Sequence, residues 1–303
     1  MNIVLPIAGV AENVLVLLAL GGAVGFLSGM FGVGGGWLMT PLLIFIGVPP
    51  TFAVAASANQ LVGASVSGTI AHWRRGNVDM TMALVLLAGG IAGSILGVWI
   101  FSLLRRLGQI ELAISISYVA MLGGLGAFML IESARAMLFP RPAMPRKLHQ
   151  HNWLHGLPLK MRFRRSKLYI SAIVPVAIGF VGGFLSAVMG VGGGFFMVPA
   201  MIYLLAMPVA LVPGTSLFQI VFVAAGVTVL QAYENGTVDV VLALLLLLGG
   251  VIGVQIGTRV GARLTGEHFR AILGILVLAT AAKLFGDLTI TPNDLYSLEL
   301  RTP

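Results

Sequence analysis

Long apolar runs separated by short polar steps divide the chain into ten predicted helical segments: 12–31, 37–48, 52–72, 78–104, 110–132, 168–189, 195–207, 210–232, 238–261 and 269–286. Most are near the twenty or so residues that an α-helix, rising about 1.5 Å per residue, needs to cross a hydrocarbon core of about 30 Å. Segments 37–48 and 195–207 are too short, since a dozen residues reach only about 18 Å. The one long polar stretch, 133–167, carries nine of the Lys and Arg residues together with Pro140, Pro142, Pro145 and Pro158. It is expected to be a basic cytoplasmic linker between a first membrane repeat, 1–132, and a second, 168–303.

The two halves are copies. Gly32-Val33-Gly34-Gly35-Gly36 returns as Gly190-Val191-Gly192-Gly193-Gly194, and each copy is followed five residues on by a proline, Pro41 or Pro199. Phe26-Leu27-Ser28 matches Phe184-Leu185-Ser186. Ser57 and Gln60 match Ser216 and Gln219. Gly89, Gly93 and Gly97 match Gly249, Gly253 and Gly257. Five segments per copy is an odd number, so the second copy is expected to lie inverted in the membrane.

Composition changes the solvent. Hydrophobic residues make up 58% and charged residues 9% of the 303, and mean hydropathy is +1.02, a balance that suits lipid and not water. There are no cysteines, which excludes disulfides, thiolate metal sites and cysteine nucleophiles. Residues 1–11 contain no Lys or Arg, so the first apolar run is expected to stay as a helix and not to be removed as a signal. The net charge of +8 is concentrated in the 133–167 loop, which reads as a topology signal and not as a nucleic-acid surface. With that loop inside, Arg74, Arg75, Arg259, Arg263 and Arg270 are also inside, and only Arg105, Arg106, Lys283 and Arg301 are outside, with both termini. A rival count of eight crossings, with 1–2 and 6–7 as broken spans, satisfies the charge rule almost equally; the length of 12–48 favours ten.

The candidate chemistry is electrostatic. Glycine breaks ahead of short helices expose backbone N–H groups at a positive dipole end, and glycine lets a ligand come close. Gly34, Gly35 and Gly36, with Gly192, Gly193 and Gly194, are therefore expected to cradle a small oxyanion. Ser57, Asn59 and Gln60, and in the second copy Thr215, Ser216 and Gln219, are the candidate side-chain donors. No Lys-Ser or Lys-Thr follows either glycine run, so this is no nucleotide-binding P-loop. The four-residue spacing of the other glycine sets is expected to serve close helix packing. Asp79 and Asp239 are read as helix-start residues, and His72, Arg74 and Arg75 as a cationic mouth. From Asn13 to Ala71 and from Ile170 to Tyr233 there is no Asp, Glu, Lys, Arg or His, which leaves no acid–base pair or metal site for catalysis, and no cofactor is expected.

The stretch from Gly25 to Pro41, its weaker copy from Gly183 to Pro199, Ala56-Ser57, Thr215-Ser216 and His72-Trp73-Arg74-Arg75-Gly76-Asn77-Val78-Asp79 together resemble the TauE/SafE sulfite exporter family. The likeness covers about residues 15–285. It implies a bacterial inner-membrane permease for small sulfur-containing anions such as sulfite, sulfonates or sulfoacetate. The second copy lacks the His-Trp-Arg-Arg element and has Ala187-Val188-Met189 in place of Gly29-Met30-Phe31.

The sequence thus predicts an all-α polytopic membrane protein of two inverted repeats with glycine-rich helix breaks. Its expected partners are the bilayer and a small anionic substrate, with no nucleic acid; a homo-oligomer is compatible with it. The alternative is a non-transporting membrane scaffold whose basic loop binds a partner. A lipid-phosphate hydrolase is disfavoured by the missing intramembrane acids and bases.

Overall fold

The computed structural model describes residues 2–31, 34–138, 158–261 and 266–289. Ten helices follow the predicted segments closely: α1 (Val14–Phe31), α2 (Gly36–Phe45), α3 (Pro50–Arg74), α4 (Met80–Arg106), α5 (Ile110–Leu138), α6 (Ile173–Met189), α7 (Gly194–Tyr203), α8 (Val212–Asn235), α9 (Val240–Gly261) and α10 (Gly266–Thr289). By length and composition α4, α8, α9 and the 110–128 part of α5 are each sufficient to cross a membrane. The ten-residue α2 and α7 reach only about 15 Å each.

Two short hairpins were not anticipated. Strand β1 (Asn2–Val4) pairs antiparallel with β2 (Ala11–Asn13), and β3 (Lys160–Phe163) with β4 (Leu168–Ser171). Each hairpin directly precedes the first helix of a repeat. The boundary expected at 167/168 therefore falls inside the second hairpin, which is built like the first; most of the expected linker, 139–157, lies outside the described residues.

The chain forms two compact units. One holds α1–α4 and α6–α9 with both hairpins. The other consists of most of α5 together with α10, where Gly126 sits against Val277 and Leu278. The units do not coincide with the sequence halves, because helices of the first unit pair across the repeats.

In that first unit α1 packs along α9 and α4 along α6. The glycine ladders are the reason. A Cβ at Gly21, Gly25 or Gly29 would strike the backbone of Leu246, Gly250 or Val254, and one at Gly89, Gly93 or Gly97 that of Val176, Phe180 or Phe184. Helix backbones this close require residues without side chains at the contact, so the packing role expected for the four-spaced glycines holds. The matched order of these contacts also makes each pair parallel. On the adjoining faces Ile91, Ile95 and Trp99 of α4, and Leu248, Ile252 and Ile256 of α9, are exposed, as an apolar surface in contact with lipid should be.

The equivalent helices α3 and α8 pack against each other in opposite senses. Leu61 and Ile220 meet over the same glycine, Gly34. Further along α3, Gly68 faces Leu217 and His72 faces Gly214, so α8 runs backwards past it. Helices that are copies in sequence and antiparallel in space are related by a two-fold axis across the helix direction. This is the inversion that five segments per repeat require.

Candidate functional site

Both glycine breaks are tips of helical hairpins. The chain leaves α1, turns, and returns so that Gly35 lies beside Val24 and Ser28 of the helix it has just left. In the second copy Gly193 lies on Gly182, and Met197 of α7 also reaches Gly182. Gly34 has φ +77° and Gly193 φ +70°, conformations that only glycine adopts without strain, and that is why the turn needs this residue type.

The two tips meet. A Cβ on Gly36 would collide with the Gly190 carbonyl oxygen and lie 2.9 Å from the Val191 Cα. Two pairs of equivalent residues enclose the meeting point. The rings of Trp37 and Phe195 stack with centroids 5.0 Å apart and an interplanar angle of 14°. Leu61 of α3 and Ile220 of α8 lie on the other side, within 3.2 and 3.4 Å of a Cβ placed on Gly34. Helices α2 and α7 begin here at Gly35 and Gly193, neither with a side-chain cap. Their positive dipole ends are thus brought together inside the protein, walled by apolar side chains.

One residue before each of Leu61 and Ile220 is a polar group without a partner among the described residues. Gln60 and Gln219 are both fully buried, and the amide nitrogen and oxygen of each have no hydrogen-bond partner among the described residues. Each amide rests on a glycine of the neighbouring ladder, Gln60 on Gly250 and Gln219 on Gly90. The hydroxyls of the equivalent serines, Ser28 and Ser186, are likewise buried and unpaired. A buried, unsatisfied polar group costs about 1–3 kcal/mol, and here the cost recurs at equivalent positions of both repeats.

The other candidates have different surroundings. Ser57 accepts a hydrogen bond from Thr40 Oγ1 at 2.8 Å, and the Thr40 hydroxyl also lies 3.3 Å from the Met189 carbonyl, beside the second tip. Thr40 was missed because the second copy has Val198 in its place, so duplication did not mark it. Ser216 Oγ donates to the Pro213 carbonyl at 3.0 Å. Thr215 is committed elsewhere: its hydroxyl donates to the Leu211 carbonyl at 2.7 Å and accepts the Asp79 N–H at 3.0 Å, joining the starts of α8 and α4. Asn59 is only half-buried, and at 100° per residue it lies across α3 from Leu61, away from the tips.

Asp79 and Asp239 are helix-start residues, as expected, and each also anchors a hairpin. Asp79 Oδ1 accepts the Met82 N–H, and its Oδ2 accepts both the N–H and the hydroxyl of Ser166 in the β3–β4 turn, at 2.9 and 2.6 Å. Asp239 Oδ1 accepts from Val241 and Leu242, and its Oδ2 accepts the N–H groups of Ile7 and Ala8 in the β1–β2 turn. In the cationic mouth, Arg75 donates to the Thr258 carbonyl and Trp73 lies against Phe218. Among the described residues no group of three His, Cys, Asp or Glu could hold a metal.

Inverted helical repeats, intramembrane breaks meeting on a pseudo-two-fold axis and a lipid-facing exterior define a polytopic membrane transporter. Residues 17–284 match the family described as sulfite exporter TauE/SafE, and the chain belongs to that family. It is similar to the probable membrane transporter protein YjnA of Bacillus subtilis, with 28% identity over 271 residues, 88% of this chain and 98% of the relative. A probable membrane transporter protein of Xylella fastidiosa is 30% identical over 274 residues, 89% of this chain and 94% of the relative. One from Methanocaldococcus jannaschii is 25% identical over 279 residues, 86% and 93% respectively. No solved structure matches the chain. The protein is a multi-pass membrane transporter and not an enzyme.

Proposed function

We propose that this transporter moves small sulfur-containing oxyanions, of the sulfite, sulfonate or sulfoacetate class, across the cell inner membrane by alternating access. The observation that carries the reading is the pair of buried, unpartnered glutamine amides, Gln60 and Gln219, each one residue before the Leu61 and Ile220 that wall the two meeting helix starts. Amide and hydroxyl donors with positive helix ends match an anion's acceptor oxygens while adding no full positive charge to the membrane interior. Backbone groups of Gly34–Gly36 and Gly192–Gly194 serve as the cradle, with Gln60, Gln219, Ser57 and Ser216 as side-chain donors; Thr215 and Asn59 have no part in it. The family's description supports the sulfur class, and the related proteins' names support transport alone.

The test is uptake of sulfite, methanesulfonate and sulfoacetate into proteoliposomes by the native chain and by Gln60→Leu and Gln219→Leu. Leucine removes the unpaired amide at similar volume, so both variants should melt at or above the native temperature. Losing a hydrogen bond to a charged ligand, worth about 1.5–3 kcal/mol, lowers flux about tenfold or more. Native flux in both variants would remove the glutamines from the site. The scaffold alternative is addressed by deleting 140–157, which spares the β3–β4 hairpin: a transporter keeps its flux, and a scaffold loses its role.

A further inference from the structure

Helices α3 and α8 meet at Leu61 and Ile220 beside the tips, and the two ends of this antiparallel pair differ. Toward the C-terminal end of α8 a polar network fastens that helix to α6 and α4. Gln231 Nε2 donates to the Ala187 carbonyl of α6 at 3.2 Å, Asn235 Nδ2 donates to Gln231 Oε1 at 2.7 Å, and Ser102 Oγ of α4 donates to Asn235 Oδ1 at 3.2 Å. Arg105, also on α4, donates to the Asn235 carbonyl.

Among the described residues the equivalent end of α3 has no such network. Ser65, Thr69 and His72, spaced four and three apart, share one face of the helix. Ser65 Oγ, Thr69 Oγ1 and both ring nitrogens of His72 are buried, with no hydrogen-bond partner among the described residues. The side of α8 that meets this end of α3 is apolar: Gly214 abuts His72, and Leu217 abuts Gly68. His72 stands where the second repeat has Gln231 and Ser65 where it has Ala224, while Thr69 matches Thr228, whose hydroxyl is also buried without a partner among the described residues, so the ends of the stripe belong to one half only. At this end Arg75 donates to the Thr258 carbonyl of α9 at 3.3 Å, and the Asp79 N–H donates to Thr215 Oγ1 at the start of α8.

Four unpaired polar atoms in line are costly in a dry helix interface at about 1–3 kcal/mol for each group. They cease to be costly when water or an anion lies beside them. We propose that Ser65, Thr69 and His72 line the aqueous half-path that carries a small oxyanion between the glycine tips and the membrane face marked by Arg74 and Arg75, and that the Ser102–Asn235–Gln231 network holds the opposite half-path shut. Leu61 and Ile220 form the barrier at its inner end. The hydroxyls and the imidazole N–H act as successive donors to the anion's oxygens, and the arginines raise its concentration at the mouth. This rests on the reading of the tips as an anion site for its cargo, but the wetting of the α3 face does not depend on which anion is carried.

The absence of cysteine makes the test direct. Ser65→Cys, Thr69→Cys and Thr228→Cys are introduced singly into the full chain, and folding is checked by size-exclusion chromatography. Each is exposed to a charged, membrane-impermeant maleimide in vesicles of either orientation. Ser65→Cys and Thr69→Cys should label from the Arg74/Arg75 side, at least about tenfold faster than Thr228→Cys labels from either side, as a difference in open population requires. Adding Asn235→Ala should raise labelling of Thr228→Cys from the other side. Folded Ser65→Cys and Thr69→Cys proteins that carry native flux but do not label would overturn the proposal, as would unchanged labelling of Thr228→Cys with Asn235→Ala. Protection by methanesulfonate reports separately on the cargo: labelling without protection keeps the path and removes the sulfonate reading.

Discussion

Glycine has two different uses in this chain, and single substitutions separate them. Gly93 lies where a Cβ would strike the Phe180 backbone, so Gly93→Ala must push α4 and α6 apart. Overpacking of this kind costs about 1–3 kcal/mol, and the melting temperature in detergent should fall. Gly226, inside α8, has nothing within 4 Å of such a Cβ. Gly226→Ala should leave flux intact and raise thermal stability, since alanine is favoured over glycine in a helix interior by about 0.5–1 kcal/mol. The four-residue spacing of Gly89, Gly93 and Gly97 made the packing use legible in the sequence. The use of Gly34 and Gly193 was legible only as a helix break. Their positive φ and the collision of Gly36 with Gly190 depend on where the rest of the chain goes. Thr215 shows the same boundary: its place beside the duplicated Ser216 and Gln219 marks it as a donor, yet the neighbour that occupies its hydroxyl, Asp79, is 136 residues away.

Among the elements, the two hairpins were the least visible. Strands of three or four residues have too few positions for an alternating pattern to stand out from apolar helices on either side. What holds them is an aspartate one repeat away: Asp79 for β3–β4 and Asp239 for β1–β2. Asp79→Ala removes the N-cap of α4 and both hydrogen bonds to Ser166. The lost cap alone costs about 0.5–2 kcal/mol. The expected outcome is a lower melting temperature together with faster limited proteolysis in 158–171, and Asp239→Ala should do the same for residues 2–13. If proteolysis in the hairpin were unchanged, the anchor would not be the carboxylate. The short helices behaved as their length required. Ten residues do not cross a bilayer, and α2 and α7 instead form the return arms of hairpins whose tips lie inside the protein.

Across the whole molecule the repeats are interleaved, α1 with α9 and α4 with α6, so neither half can bury its glycine ladder alone. Coexpressed fragments split within 140–157 should therefore copurify, and either fragment expressed alone should be degraded. The two hairpins occupy equivalent places at opposite ends of the inverted pair, but only the second is basic, with Lys160, Arg162, Arg164, Arg165 and Lys167 against none in residues 1–13. Inversion should put them on opposite sides of the membrane, and by the positive-inside rule the basic one is expected in the cytoplasm. An epitope inserted in 140–157 should react only from the cytoplasmic side, and epitopes at either terminus only from the other. A shared sidedness would refute the orientation.

The order of apolar and polar residues by itself determined the membrane environment, the ten helices, the sites of the glycine breaks and the inversion that an odd segment count demands. All of these follow from local length, periodicity and duplication, because lipid obliges each span to satisfy its own backbone hydrogen bonds. Only the tertiary structure decided which helices pair across the repeats, that Trp37 and Phe195 bring the two tips together, and which polar side chains find partners. Gln231 and His72 hold equivalent positions in sequence, yet among the described residues one side chain is bonded and the other is not. That difference is set by atoms from helices far along the chain, which no local pattern records.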